Sequence, residues 1–258
     1  MSESQSIPSR CLHLLRVHFV PISIVTVASF MLVPALFAIM RAVILSQPGA
    51  SQLSPTALWE SSSATVKTLA ILIFLLATFL PQSLTEAGIA AIALSEAKNE
   101  SIELRRLFGQ LARSFPRILV LTLILGFVKV LGASTVVISV GVALSCALVM
   151  PVAGTTRLGP WISLKTGVKL AAGRIGPIAL IYFSALAALI PVLLAVFVLF
   201  ERLAEESSPS VVQITLLMIA LLFVIAGMSM IRSSFMAVVY VDAVKKRSCR
   251  SLSTSSSV

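Results

Sequence analysis

Residues 68–93 read TLAILIFLLATFLPQSLTEAGIAAIA and carry a single charge, Glu86. A bilayer core ~30 Å thick needs about 20 helical residues at 1.5 Å each, so this stretch is long enough to cross one. An open strand is excluded there, because its unpaired backbone groups would face hydrocarbon. Five further stretches read the same way: Phe19 to Met40, Ile118 to Leu131, Thr135 to Ala153, Pro177 to Phe200 and Val211 to about Val239. The third span is short and is expected to begin near Phe115. The expectation is an all-α membrane protein of six transmembrane helices.

Composition agrees. Of 258 residues, 58% are hydrophobic and 12% charged, and the mean hydropathy is +1.04. One water-soluble core could not hide so much apolar surface. The formal charge of +10 does not point to nucleic acid, because the basic residues flank apolar runs. Anionic lipid head groups are the expected counter-charge.

Basic residues fall in alternate connections. Arg10 and Arg16 precede the first span; Lys98, Arg105, Arg106, Arg113 and Arg117 follow the second. Arg157, Lys165, Lys169 and Arg174 follow the fourth, and Lys245, Lys246, Arg247 and Arg250 follow the sixth. Arg41, Lys67, Lys129 and Arg202 hug the other span ends. The positive-inside rule then places both termini in the cytoplasm. The chain divides into a cytoplasmic segment 1–18, a membrane domain 19–243 and a tail 244–258, basic and then Ser/Thr-rich, expected to be disordered. The first span is too long for a signal-peptide h-region and reads as a retained anchor. The Asn99-Glu100-Ser101 sequon falls on the inner side and should stay unmodified. Cys11, Cys146 and Cys249 suggest no disulfide framework; Cys11 is juxtamembrane, so acylation is weighed against an inert thiol.

Two connections are amphipathic. Leu104, Leu107, Phe108, Leu111 and Phe115 recur at helical spacing, with Arg106, Gln110, Arg113 and Arg117 opposite. Trp161, Leu164, Val168, Ala172 and Ile175 form a second stripe, with Lys165 and Lys169 opposite. Both should lie at the inner interface, where Arg105, Arg106, Arg113, Arg117, Lys165, Lys169 and Arg174 would touch anionic lipid. Each helix leads through a proline, Pro116 or Pro177, into the next span, which suggests a parallel internal duplication. On the outer side, residues Ser46 to Thr65 read as a flexible loop with Trp59 as an interface anchor.

The run Met150-Pro151-Val152, the segment Trp161 to Leu170 with Leu164 at its centre, and Ala172-Gly173-Arg174 together resemble the middle of the glycerophosphoryl diester phosphodiesterase membrane-domain family. The ending Val239-Tyr240-Val241-Asp242 before Lys245-Lys246-Arg247 is similar to that family's closing Tyr-x-Asp and basic cluster. The resemblance implies a stand-alone six-span membrane domain without phosphodiesterase activity. Thr155 and Thr156 stand near the place of the family's acidic residue, and Thr166 stands where Ser is usual.

Catalytic patterns are missing. Asp242 is the one aspartate, His13 and His18 precede the first span, and no Gly-x-Ser-x-Gly, His-Glu-x-x-His or P-loop occurs. The reading leans away from an enzyme and expects neither cofactor nor metal. Ionisable groups inside spans are the default place to look for function. Counted from the expected span starts, Glu86 and Arg232 lie about 27 and 31 Å down, both near the inner interface and able to pair. With no charge at the midplane, a coupled transporter is disfavoured. Two classes stay open: a non-enzymatic bundle that organises lipids, a protein partner or a second copy of itself at the inner leaflet, or a transporter or lipid translocator whose cavity is framed by helices broken at Pro34, Pro81, Pro151 and Pro191.

Overall fold

The computed structural model describes residues 6–46, 60, 62–132, 136–205 and 211–255; the expected outer loop with Trp59 lies largely outside them. The described chain is 89% helix with no strand. Ten helices follow one another: α1 Ile7–Val17, α2 Phe19–Phe30, α3 Leu32–Leu45, α4 Ala64–Ala97, α5 Leu104–Gly132, α6 Val136–Ser145, α7 Val149–Thr155, α8 Pro160–Ala172, α9 Ile175–Glu205 and α10 Val211–Ser255. Among the described residues, four segments are long and apolar enough to cross a membrane: Phe19–Leu45, Ala64–Ala97, Leu104–Gly132 and Leu217–Arg247. A fifth is α8 with the start of α9, if that pair, bent by 91°, counts as one span. The expected fourth span is instead the broken pair α6 and α7.

The breaks have a common cause. A proline lacks the N–H that would bond the carbonyl four residues back. Pro34 frees the carbonyl of Phe30, Pro151 that of Ala147 and Pro177 that of Gly173, and the α2–α3, α6–α7 and α8–α9 junctions fall at those places. Pro81, Pro116 and Pro191, by contrast, sit inside continuous helices. The interruption expected at Pro81 and Pro191 is therefore corrected. So is the separate surface helix before the third span, which is the first half of α5.

The bundle is organised around α4. Ser63 caps it, its side chain accepting from the backbone N–H of Val66, and from Leu80 to Ala93 every residue but Gln82 is buried. Helices α2, α3, α5, α7 and α10 all pack on it. Small residues set the spacing, as they do where helices associate without a hydrophobic driving force. A Cβ added to Gly154 would lie 2.6 Å from Ala87 Cβ, and one on Gly167 would lie 2.5 Å from the Cα of Val149. α4 ends in a Schellman motif: Asn99 takes φ 56°, its N–H donates to Glu96 O at 3.0 Å, and the N–H of Glu100 donates to Ser95 O at 2.9 Å.

α8 buries Ser163, Gly167 and Ala171 against the bundle, while Trp161 and Ile162 are exposed and Leu164 and Val168 only partly covered. The helix turns its small residues inward and leaves its large apolar stripe on the outside of the bundle. α10 continues as helix to Ser255, through residues expected to be disordered, because no Gly or Pro follows Gly227 to stop it.

Close packing at Gly167 makes a direct forecast. Gly167→Leu forces the backbone of Val149 to move and should lower stability by about 1–3 kcal/mol. Gly227→Ala, which meets nothing within 4 Å, should leave it unchanged or slightly raised. Thermal unfolding of the two purified variants in one detergent measures the difference.

Candidate functional site

Three polar clusters interrupt the apolar bundle. The first lies within the spans. Arg232 of α10 donates to Glu86 Oε1 of α4, which also accepts from Gln82 Nε2 at 3.1 Å. The Arg232 guanidinium stands 5.4 Å from the ring centre of Tyr182 on α9. Lys129 of α5 lies 5.4 Å above the ring of Phe79 and shares a small cavity with Glu86 and Tyr182. Arg232 is the central residue of the apolar span Leu217–Arg247, and Glu86 lies about 16 Å from the C-terminal end of α4. Both helices run past the ends of the apolar stretches read from sequence.

The second cluster ties the two chain ends together. Arg10 of α1 pairs with Asp242 of α10 at 2.5 Å, and Arg174 donates to the carbonyl of Asp242 at 3.3 Å. Glu96, at the end of α4, faces His13 and His18 at 3.4 and 3.5 Å. These contacts put α1 and the C-terminal half of α10 at one end of the bundle, here termed the basic end. Cys11 is fully buried between them, and burial pushes its thiol up to about 12. The inert reading fits this thiol, since a reactive cysteine needs exposure and thiolate character.

The third cluster is a cavity of about 800 Å³ at the same end, between the close of α4, the start of α5 and the α7–α8 connection. Lys98, Arg105, Arg106, Arg113, Arg117 and Arg157 line it, against Glu100 and Glu103. Only Arg106 among these cations forms an ion pair among the described residues, with Glu100 at 3.8 Å. Arg117 is held in place: Nη1 donates to Leu158 O at 2.6 Å and Nη2 to Ser114 Oγ at 3.1 Å. The end of α7 leaves the Gly154 carbonyl available, and Gln110 Nε2 donates to it at 2.9 Å. These bonds fasten α5 to α7 and shape the cavity wall.

The four arginines expected on the first amphipathic segment therefore gather on one cavity. Lys165, Lys169 and Arg174 do not: Lys165 stands 5.6 Å over the ring of Trp161, and Arg174 serves the Asp242 contact. Sequence reading missed Arg157 and Lys98 as site residues, having used them only for charge asymmetry. The residues quoted for the family resemblance meet near the same end. Thr155 Oγ1 lies 2.6 Å from the Tyr240 hydroxyl and donates or accepts there; it is also 2.7 Å from the Pro151 carbonyl. Gly173 caps α8. Among the described residues no His, Cys, Asp and Glu group could hold a metal ion.

If the Glu86–Arg232 pair is a clamp, breaking it strands a buried charge. Glu86→Gln should cost about 3–5 kcal/mol, and the double variant E86R/R232E should recover more than half of that. Unfolding midpoints of the singles and the double in detergent test it. Comparison with known proteins adds no further constraint: no family model, curated protein or solved structure matches the chain.

Proposed function

We propose that the chain is a non-enzymatic integral membrane protein that holds phosphate-bearing lipid head groups at the inner leaflet. The observation that carries this is the cavity with six cations and two carboxylates at the basic end. Its volume of about 800 Å³ suits a polar head group, and arginine forks match phosphate oxygens in shape as well as charge. The elements that frame the cavity also carry apolar surface for acyl chains: Leu104, Phe108 and Phe115 of α5, with Leu158, Trp161 and Ile162, are exposed. A lipid can place its phosphate in the cavity and its chains against this surface.

In this reading the basic end faces the cytoplasm and the backbone crosses six times, with α6–α7 as a broken span. Its support is the concentration of Lys and Arg there and the Arg10–Asp242 contact, which keeps both termini on one side. The resemblance to the glycerophosphoryl diester phosphodiesterase membrane domains accords with a phospholipid-facing role. A translocator is the second reading. One observation favours it: the Glu86–Arg232 cluster lies in the same α4–α5 cleft, deeper in the span.

The test is binding of the purified full chain to nanodiscs or mixed micelles containing anionic lipid. Arg105, Arg113 and Arg157 carry no ion pair among the described residues. Changing all three to Gln should weaken anionic-lipid retention at least about tenfold, one charge-assisted bond being worth about 1.5–3 kcal/mol. Retention of zwitterionic lipid should not change. Equal retention of anionic lipid by the triple variant refutes the reading, and headgroup-selective flipping in sealed vesicles would favour translocation.

A further inference from the structure

Within the spans the charges do not cancel. Glu86 and Arg232 neutralise each other, and Glu86 Oε1 is covered by both Arg232 and Gln82. Lys129 adds a second cation to the same small cavity and has no carboxylate at ion-pair distance among the described residues. Its contact is the Phe79 ring, 5.4 Å away. A cation left uncompensated beside an enclosed apolar cavity is expensive, and ionisable groups within spans normally pair.

A further group at the site is unused. Thr122 lines the cavity and is 2% exposed, yet its Oγ1 has no hydrogen-bond partner. A leftover cation and an idle hydroxyl are both donors. The cavity they line, with Glu86 on the same wall, measures about 20 Å³, enough for one water-sized occupant, since one needs about 10–15 Å³.

We propose that this cavity is a binding site for one small monovalent anion of halide size, held by Lys129 and Thr122 beside the Glu86–Arg232 pair. Phosphate and larger oxyanions are too big for it. Water would satisfy the hydroxyl but leave the Lys129 charge uncompensated. The site is independent of the head-group cavity and of the reading given to that cavity.

The experiment compares thermal unfolding of the full chain in detergent with sodium chloride, bromide or gluconate at equal ionic strength. Chloride and bromide should raise Tm saturably by about 3 °C over gluconate. Lys129→Gln should abolish that rise and Lys129→Arg should keep it. Thr122→Val, which alters no charge, should shift the half-saturating halide concentration severalfold upward, and it serves alone if Lys129→Gln does not fold. Equal Tm in the three salts, a halide response that survives Lys129→Gln, or an unshifted Thr122→Val curve overturns the proposal.

Discussion

A carboxylate on the most enclosed turns of an apolar helix is the constraint around which the bundle is arranged. Glu86 lies within the stretch of α4 from Leu80 to Ala93, which neighbours cover almost completely. An ionised group there loses its hydration and must find a partner of opposite charge, at a penalty of several kcal/mol if it fails. Arg232 supplies the partner, so α10 must cross α4 at this level. Tyr182 on the face of the guanidinium brings α9 to the same point. Ion pairing sets which helices meet. Small residues set how closely: Gly88 faces Val25 of α2, and Ala87 faces Gly154 of α7.

How much of this was legible depended on whether a signal was local. Glu86 and Arg232 could be matched from sequence because each stands nearly alone in a long apolar run. The ends of their helices could not be read, because a helix need not end where its apolar stretch ends; α4 reaches Ala97 and α10 passes Arg247. Prolines were equally ambiguous. Each frees one carbonyl, but whether a helix breaks or merely bends depends on what packs there. Pro151 coincides with a break, and Pro81, in the heart of the bundle, does not. The α8 face follows the rule for membrane helices. In water the large apolar stripe turns inward, whereas between membrane helices small residues pack and large ones face lipid.

The basic cavity was half legible. Arg105, Arg106, Arg113 and Arg117 announce themselves as one row on α5. Arg157 and Lys98 come from other connections, and only the fold brings them to the same wall. No sequence signal marks the Gly154 carbonyl, which is available because α7 stops one residue later and which Gln110 takes up. What the row of arginines does show is that charge here is presented and not spent. Apart from Arg106 with Glu100 and Arg117 with a carbonyl and a hydroxyl, the cavity cations lack such bonds among the described residues. Arginines kept for structure are usually tied down.

The two polar regions of the α4–α5 cleft are separated by a dry layer, and that layer bears on what the bundle can do. Ile118 and Leu121 of α5 are fully buried between them, and Ala87 meets Gly154 so closely that even a methyl group on the glycine would clash. A head group moving from the basic cavity to the level of Glu86 would have to part α7 from α4 where Ala87 meets Gly154. It would also have to break the Gln110 and Ser114 bonds to the Gly154 carbonyl, at 2.9 and 3.4 Å. Close-packed interiors resist such opening unless a second arrangement is comparably stable. The polar residues at this barrier fasten it shut. This arrangement suits a protein that holds a ligand at one end of the bundle better than one that passes it through.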